Sequence, residues 1–158
     1  MDRTIDLAAR LRAVFLDGKW IANTNYKEQL QGLSLEQALH RTGELNTIAA
    51  LSYHINYYLE GLLKVLNGGP LDISDKFSFD LPPLNADTEW RALVATLLRN
   101  AENFAETVAR LEDSLLDTSF VKEQYGTYLR NIEGVIEHSY YHLGQIVLIR
   151  KLITGHSL

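Results

Sequence analysis

The sequence predicts an all-α protein, a four-helix bundle. Three observations carry this. Four segments place apolar residues three and four positions apart, the spacing of a helix with one buried face. Capping residues or Gly-Pro punctuation bracket most of these segments. Strand signals are scarce along the 158 residues, so helix packed on helix is the architecture left.

Ile5, Ala8, Leu11, Val14 and Phe15 mark a first helix over 3–16, stopped by Asp17-Gly18. The stretch 19–32 is mixed, and Trp20, Ile21, Tyr26 and Leu30 are expected to dock on the bundle without forming a long helix. Ser34-Leu35-Glu36-Gln37 is a capping box, with Ser34 as N-cap and Gln37 returning to it. It opens a short helix to about Leu39. Asn46 is a candidate cap for the second long helix, 47–66. Ile48, Leu51, Ile55, Tyr58, Leu62 and Leu66 form its stripe, and Gly68-Gly69-Pro70 ends it.

The connection 71–86 carries Phe77 and Phe79 between acids and has too little Gly and Ser for a flexible linker. It reads as a loop packed on the surface, a lid in form. Asp87 is expected to cap the third helix, which runs to about Glu112 with apolar positions from Trp90 to Leu111. Residues 113–127 connect to the fourth helix, 128–153, whose stripe is Leu129, Ile132, Ile136, Leu143, Ile146, Val147 and Ile153. The length suits one domain spanning 1–158.

Composition excludes several classes. There is no cysteine, hence no disulfide, no thiolate ligand and no cysteine nucleophile. A net charge of −5 with scattered basic residues argues against nucleic-acid binding, which needs clustered Lys and Arg. No apolar run reaches the ~18 residues a membrane span requires. Met1-Asp2-Arg3-Thr4 leads into an amphipathic segment and not a signal peptide, which points to the cytoplasm.

The chemistry concentrates in three histidines. His138 and His142 stand four apart on one helix, so they point the same way one turn apart. His54 sits in the second helix, roughly 80° from the centre of its stripe, while His142 and His138 lie roughly 70° and 110° from theirs, to the same angular side. Facing helices bring same-side flanks together when they run antiparallel. A shared site therefore favours antiparallel second and fourth helices. With the third and fourth also antiparallel, the second and third run parallel, which needs a long crossover. Such a helix spans roughly 30 Å and the loop 67–86 reaches roughly 60 Å extended. Spacing and loop length agree on an up-down-down-up bundle.

Three neutral imidazoles suit zinc, nickel, copper or iron, not magnesium or calcium. Three protein ligands leave coordination positions open, the pattern of a catalytic metal. From spacing alone a second reading stands beside this one, polar or core histidines bonded to the backbone. Ser139 follows His138, so the H-E-x-x-H of zinc proteases is missing. Leu51, Val135 and Ser139 stand three before the histidines, so the Glu-x-x-His of di-iron bundles is missing too. Tyr58 is placed to bring its hydroxyl to the site. Gln145 either contacts a ligand or holds a histidine in one tautomer. His40 and His156 have no assigned role, and Glu137 reads as a surface acid.

His138-Ser139-Tyr140-Tyr141-His142-Leu143-Gly144-Gln145-Ile146 resembles the closing H-x-x-x-H-x-G-Q-I motif of the DinB/YfiT-like superfamily. Asn46-Thr47-Ile48-Ala49-Ala50-Leu51-Ser52-Tyr53-His54-Ile55 is similar to that family's second-helix motif. The resemblance covers essentially the whole chain. It implies a metal site of His54, His138 and His142 holding nickel or zinc, and often a homodimer. Some relatives are S-transferases or isomerases using low-molecular-weight thiols. Two functions follow as expectations. One is a metal-dependent transferase that activates a small thiol toward an electrophile, with Phe77 and Phe79 walling the electrophile's pocket. The alternative is a non-catalytic metal-binding or dimeric stress-response module.

Overall fold

The structure, a computed structural model, describes residues 2–155; His156 lies outside the described residues. Six α-helices follow one another: α1 (Arg3–Phe15), α2 (Tyr26–Leu30), α3 (Leu35–Leu39), α4 (Ile48–Leu66), α5 (Asp87–Ala109) and α6 (Tyr128–Thr154). Short 3-10 turns interrupt the two long connections, at Asp75–Phe77, Asp113–Asp117 and Glu123–Tyr125. No strand occurs among the described residues, only an isolated bridge between Ser119 and Thr127. The four long helices of the sequence reading are α1, α4, α5 and α6.

Cap chemistry explains where the helices begin. Asp2 accepts from the Thr4 amide to open α1, and the Ser34–Gln37 capping box opens α3 with both of its bonds made. Two expected caps fall elsewhere. Thr47, not Asn46, is the N-cap of α4, its hydroxyl accepting from the Ala50 amide. Asp87 is the first residue of α5 and not its cap: the N-cap is Ala86, which has no side-chain acceptor, and whose amide donates to the Glu89 carboxylate. The Asp87 carboxylate is left free to accept from the Leu35 amide at 2.8 Å, which ties the start of α3 to the start of α5. α6 opens on the Thr127 hydroxyl and closes on Gly155 in the left-handed conformation, where glycine carries no Cβ penalty.

Cross-links fix the direction of each long helix. Arg3, at the start of α1, pairs with Asp113 and Asp117 beyond the end of α5. Arg12, near the other end of α1, pairs with Glu102, so α1 and α5 are antiparallel. The crossover descends α4 in steps. Asp72 meets Lys64, Ile73 lies against Gly61, Ser74 bonds Tyr57 and Phe79 reaches His54. The chain returns to the end where α4 began, so α4 and α5 run parallel. α6 runs against α4: Tyr58 and Leu62 face the start of α6, and Leu51 faces Leu148 and Ile149 near its end. The order is up-down-down-up with a long crossover, as the histidine geometry predicted.

The core lies between these four helices. Leu11, Phe15, Ile55, Leu59, Trp90, Phe104, Ile136 and Ile146 are all buried. The buried face of α4 runs through Ile48, Ser52, Ile55 and Leu59, leaving Tyr58, Leu62 and Leu66 half-covered at its edge. Tyr26 and Leu30 dock as expected, but Trp20 and Ile21 do not, standing 93% and 67% exposed. The Lys19 carbonyl accepts from the Asn23 amide, and Asn23 adopts a positive φ of 56°. This tight reversal carries Trp20 and Ile21 outward on its tip. Among the described residues no helix is long and apolar enough to cross a membrane.

Candidate metal centre

The antiparallel contact of α4 and α6 brings three imidazoles together. His54 projects from the middle of α4, and His138 and His142 from adjacent turns of α6. His138 Nε2 lies 3.1 Å from His54 Nε2 and 2.9 Å from His142 Nε2. All three ligand atoms fall within 4.8 Å of one another. At about 2.0–2.1 Å per bond, two imidazole nitrogens sharing one cation stand about 2.9–3.4 Å apart. The cluster can therefore hold one metal ion.

The electrostatics keep these rings neutral at neutral pH, the form that offers a lone pair. His54 is pushed down to about 4, first by burial, then by His142 and His138 beside it, with the Ser78 backbone opposing. Burial likewise lowers His138, helped by His142. It lowers His142 against the opposing hydrogen bond of Gln145. His54 Nδ1 is buried and makes no hydrogen bond of ordinary geometry. The N···N separations are of hydrogen-bond length, but a neutral imidazole has a single N–H, so the His138 Nε2 proton can bond well to only one of its two neighbours at a time. A cation satisfies all three at once.

The surroundings hold the rings in place. Gln145 Oε1 stands 2.6 Å from His142 Nδ1. An amide oxygen only accepts, so His142 carries its proton on Nδ1 and turns the lone pair of Nε2 to the cluster. Tyr58 packs its edge against His54 and His138, with centroids at 5.1 and 5.4 Å. Its hydroxyl donates to Asp75 at 2.7 Å, which anchors the crossover. Phe79 stacks flat on His54, centroids 4.0 Å apart and planes 12° apart. Behind α6, the buried Tyr26 hydroxyl donates to the Ser139 carbonyl at 2.8 Å, between the two histidines of that helix.

All three predicted histidines converge, and Gln145 and Tyr58 lie beside them. Phe77 stands 47% exposed under Lys76, away from the cluster that Phe79 joins. His40 is exposed at the end of α3. Glu137 is exposed and paired with Arg130. Tyr141, between the histidines in sequence, is 65% exposed, since its position on α6 faces away from α4. Sequence reasoning missed the Tyr26 brace and the buried bond from Asn100 to Asn56, 2.9 Å. A polar residue such as Asn56 two positions from His54 in an apolar helix is a signal for such a partner.

An up-down-down-up bundle with three inward histidines at its α4–α6 seam defines a class, the helical bundles with a potential metal centre. The model of the DinB superfamily matches residues 22–146, a span that contains all three histidines. The chain belongs to the DinB superfamily. No curated protein and no solved structure matches it at a significant level. Family membership and the histidine cluster together fit a metal-dependent protein.

Proposed function

We propose that His54, His138 and His142 ligate one divalent transition metal, nickel or zinc, and that the protein is a metal-dependent S-transferase. The observation that carries this reading is the convergence of three neutral Nε2 atoms on one point. His54, His138 and His142 would hold the metal, which when bound would lower the pKa of a thiol ligand and so supply a nucleophilic sulfur at neutral pH. The chain has no cysteine, so the thiol is a small cosubstrate. Its sulfur attacks an electrophilic carbon, the C–S bond forms, the leaving group departs with its electron pair, and the thiol proton passes to solvent.

The chain's own residues prepare that step. Gln145 fixes the tautomer of His142. Phe79 screens His54 from water, and Tyr58 borders His54 and His138. The resemblance to the family supports a homodimer.

The test is to mix metal-loaded protein with a small thiol and an activated aryl halide and to follow thioether formation. Turnover that depends on the metal and disappears in His138→Ala supports the reading. A protein that holds metal but yields no thioether with any thiol and electrophile pair is the non-catalytic metal-binding module instead.

A further inference from the structure

A second feature opens beside the histidines. Between α4 and the first half of α6 lies an open surface cleft of about 330 Å³, lined by Tyr58, Leu62, Tyr125, Arg130, Gly134 and His138 among others. His138, the histidine whose Nε2 lies within 3.1 Å of both others, closes one end. Arg130 stands at the other, eight residues away, or about 12 Å along the helix axis.

Two choices along this wall cost the helix stability, and the fold offsets one of them only through a solvent-exposed ion pair. Gly134 lies inside α6, where glycine is less favourable than alanine. A Cβ there would meet nothing within 4 Å, so no packing requires the glycine. Arg130 lies in the first turn of α6, which contains no acid. A cation at a helix N-terminus opposes the macrodipole. Its partner is Glu137 at 3.0 Å, with Glu133 further off. Both members of that pair are exposed, so it is weak and exchangeable. A ligand that fills the space above Gly134 and brings a negative charge to Arg130 accounts for both.

We propose that the α4–α6 cleft binds a small carboxylate-bearing thiol, its acid on Arg130, its body over Gly134 and its sulfur at the three-histidine centre. This rests on the metal-dependent thiol reading above and names the class of thiol. Arg130 is then the residue that sets specificity, by exchanging Glu137 for the ligand's carboxylate.

The probes are 3-mercaptopropionate and its methyl ester, which differ by one charge, titrated calorimetrically at low salt into metal-loaded and metal-free protein. The acid is expected to bind about tenfold more tightly than the ester, the scale of one charge-assisted hydrogen bond. Arg130→Gln should erase that preference, and Gly134→Leu should weaken both probes by filling the cleft. Both variants should fold and keep the wild-type metal content. Equal binding of acid and ester, a preference that survives Arg130→Gln, or full binding in Gly134→Leu overturns the proposal. If no metal binds, the histidine reading fails, and the metal-free titration still decides the cleft by the same preference.

Discussion

His142 Nδ1 and Gln145 Oε1 lie 2.6 Å apart on successive turns of α6. That contact selects which nitrogen of His142 carries the proton and which faces the cluster. Replacing Gln145 with Ala leaves the three rings in place but frees His142 to rotate and change tautomer. Outer partners of metal-bound histidines typically contribute 10–100-fold in affinity. Gln145→Ala should weaken metal binding by about that factor in a chelator competition, with thermal stability of the metal-free protein little changed. An unaltered affinity would show that the contact is incidental.

Tyr26 gives a pH-dependent prediction. Its hydroxyl is buried, donates to the Ser139 carbonyl, and its pKa is raised well above 10 by burial. The unfolded chain therefore releases this proton first as pH rises through about 10, while the folded chain retains it. Stability contributed by Tyr26 is complete below that pH and declines above it. Tyr26→Phe should cost about 0.5–1.5 kcal/mol near neutrality and flatten the alkaline fall in stability. Other tyrosines with raised values, such as Tyr53 and Tyr140, keep the fall from vanishing. Denaturant unfolding at pH 7 and pH 10.5 reads both effects, and parallel pH dependence in the two proteins would contradict the assignment.

The bond from Asn100 to Asn56 joins the parallel pair α4 and α5 inside the bundle. Asn56 is 7% exposed, so Asn100→Ala leaves its amide without that partner. The expected cost is about 1–3 kcal/mol. Replacing both residues with Leu should recover much of it, since no polar group then remains unpaired. A double variant less stable than the single one would refute this.

Most of the architecture could be read from the sequence because its signals were local. Apolar spacing located α1, α4, α5 and α6, and Ser34-x-x-Gln37 located α3. The shared angular side of His54, His138 and His142 gave the direction of α4 against α6. The errors came from tertiary context. Asn46 and Asp87 are good caps by residue type, but Thr47 does that work for α4, and α5 opens on Ala86 with no side-chain cap bond. Trp20 looked like core by hydrophobicity, and a turn set by Asn23 placed it in solvent. Phe79 could be foreseen as a wall but not as the ring stacked on His54, because that depends on how the crossover descends α4 through Asp72, Ser74 and Asp75. Arg130 reads from the sequence as one more of the scattered, solvated basic residues and Gly134 carries no signal of its own, since their relation to His138 exists only across the α4–α6 cleft.

Phe79 also bears a prediction. Its ring covers one face of His54, and removing it admits water without touching a ligand nitrogen. Phe79→Ala should release bound metal to a chelator severalfold faster while leaving the metal-to-protein ratio at saturation unchanged. An identical release rate would mean that the ring does not guard the site.

The central claim is that three histidines from two helices hold one metal ion. Elemental analysis of protein purified without a histidine tag tests it most directly, beside His54→Ala and His142→Ala, each loaded with nickel or zinc and then desalted. The account predicts about one metal ion per wild-type chain, lost in both variants, with the helical circular dichroism of all three proteins alike. Wild-type protein that retains neither metal, or variants that retain as much as wild type, would contradict it.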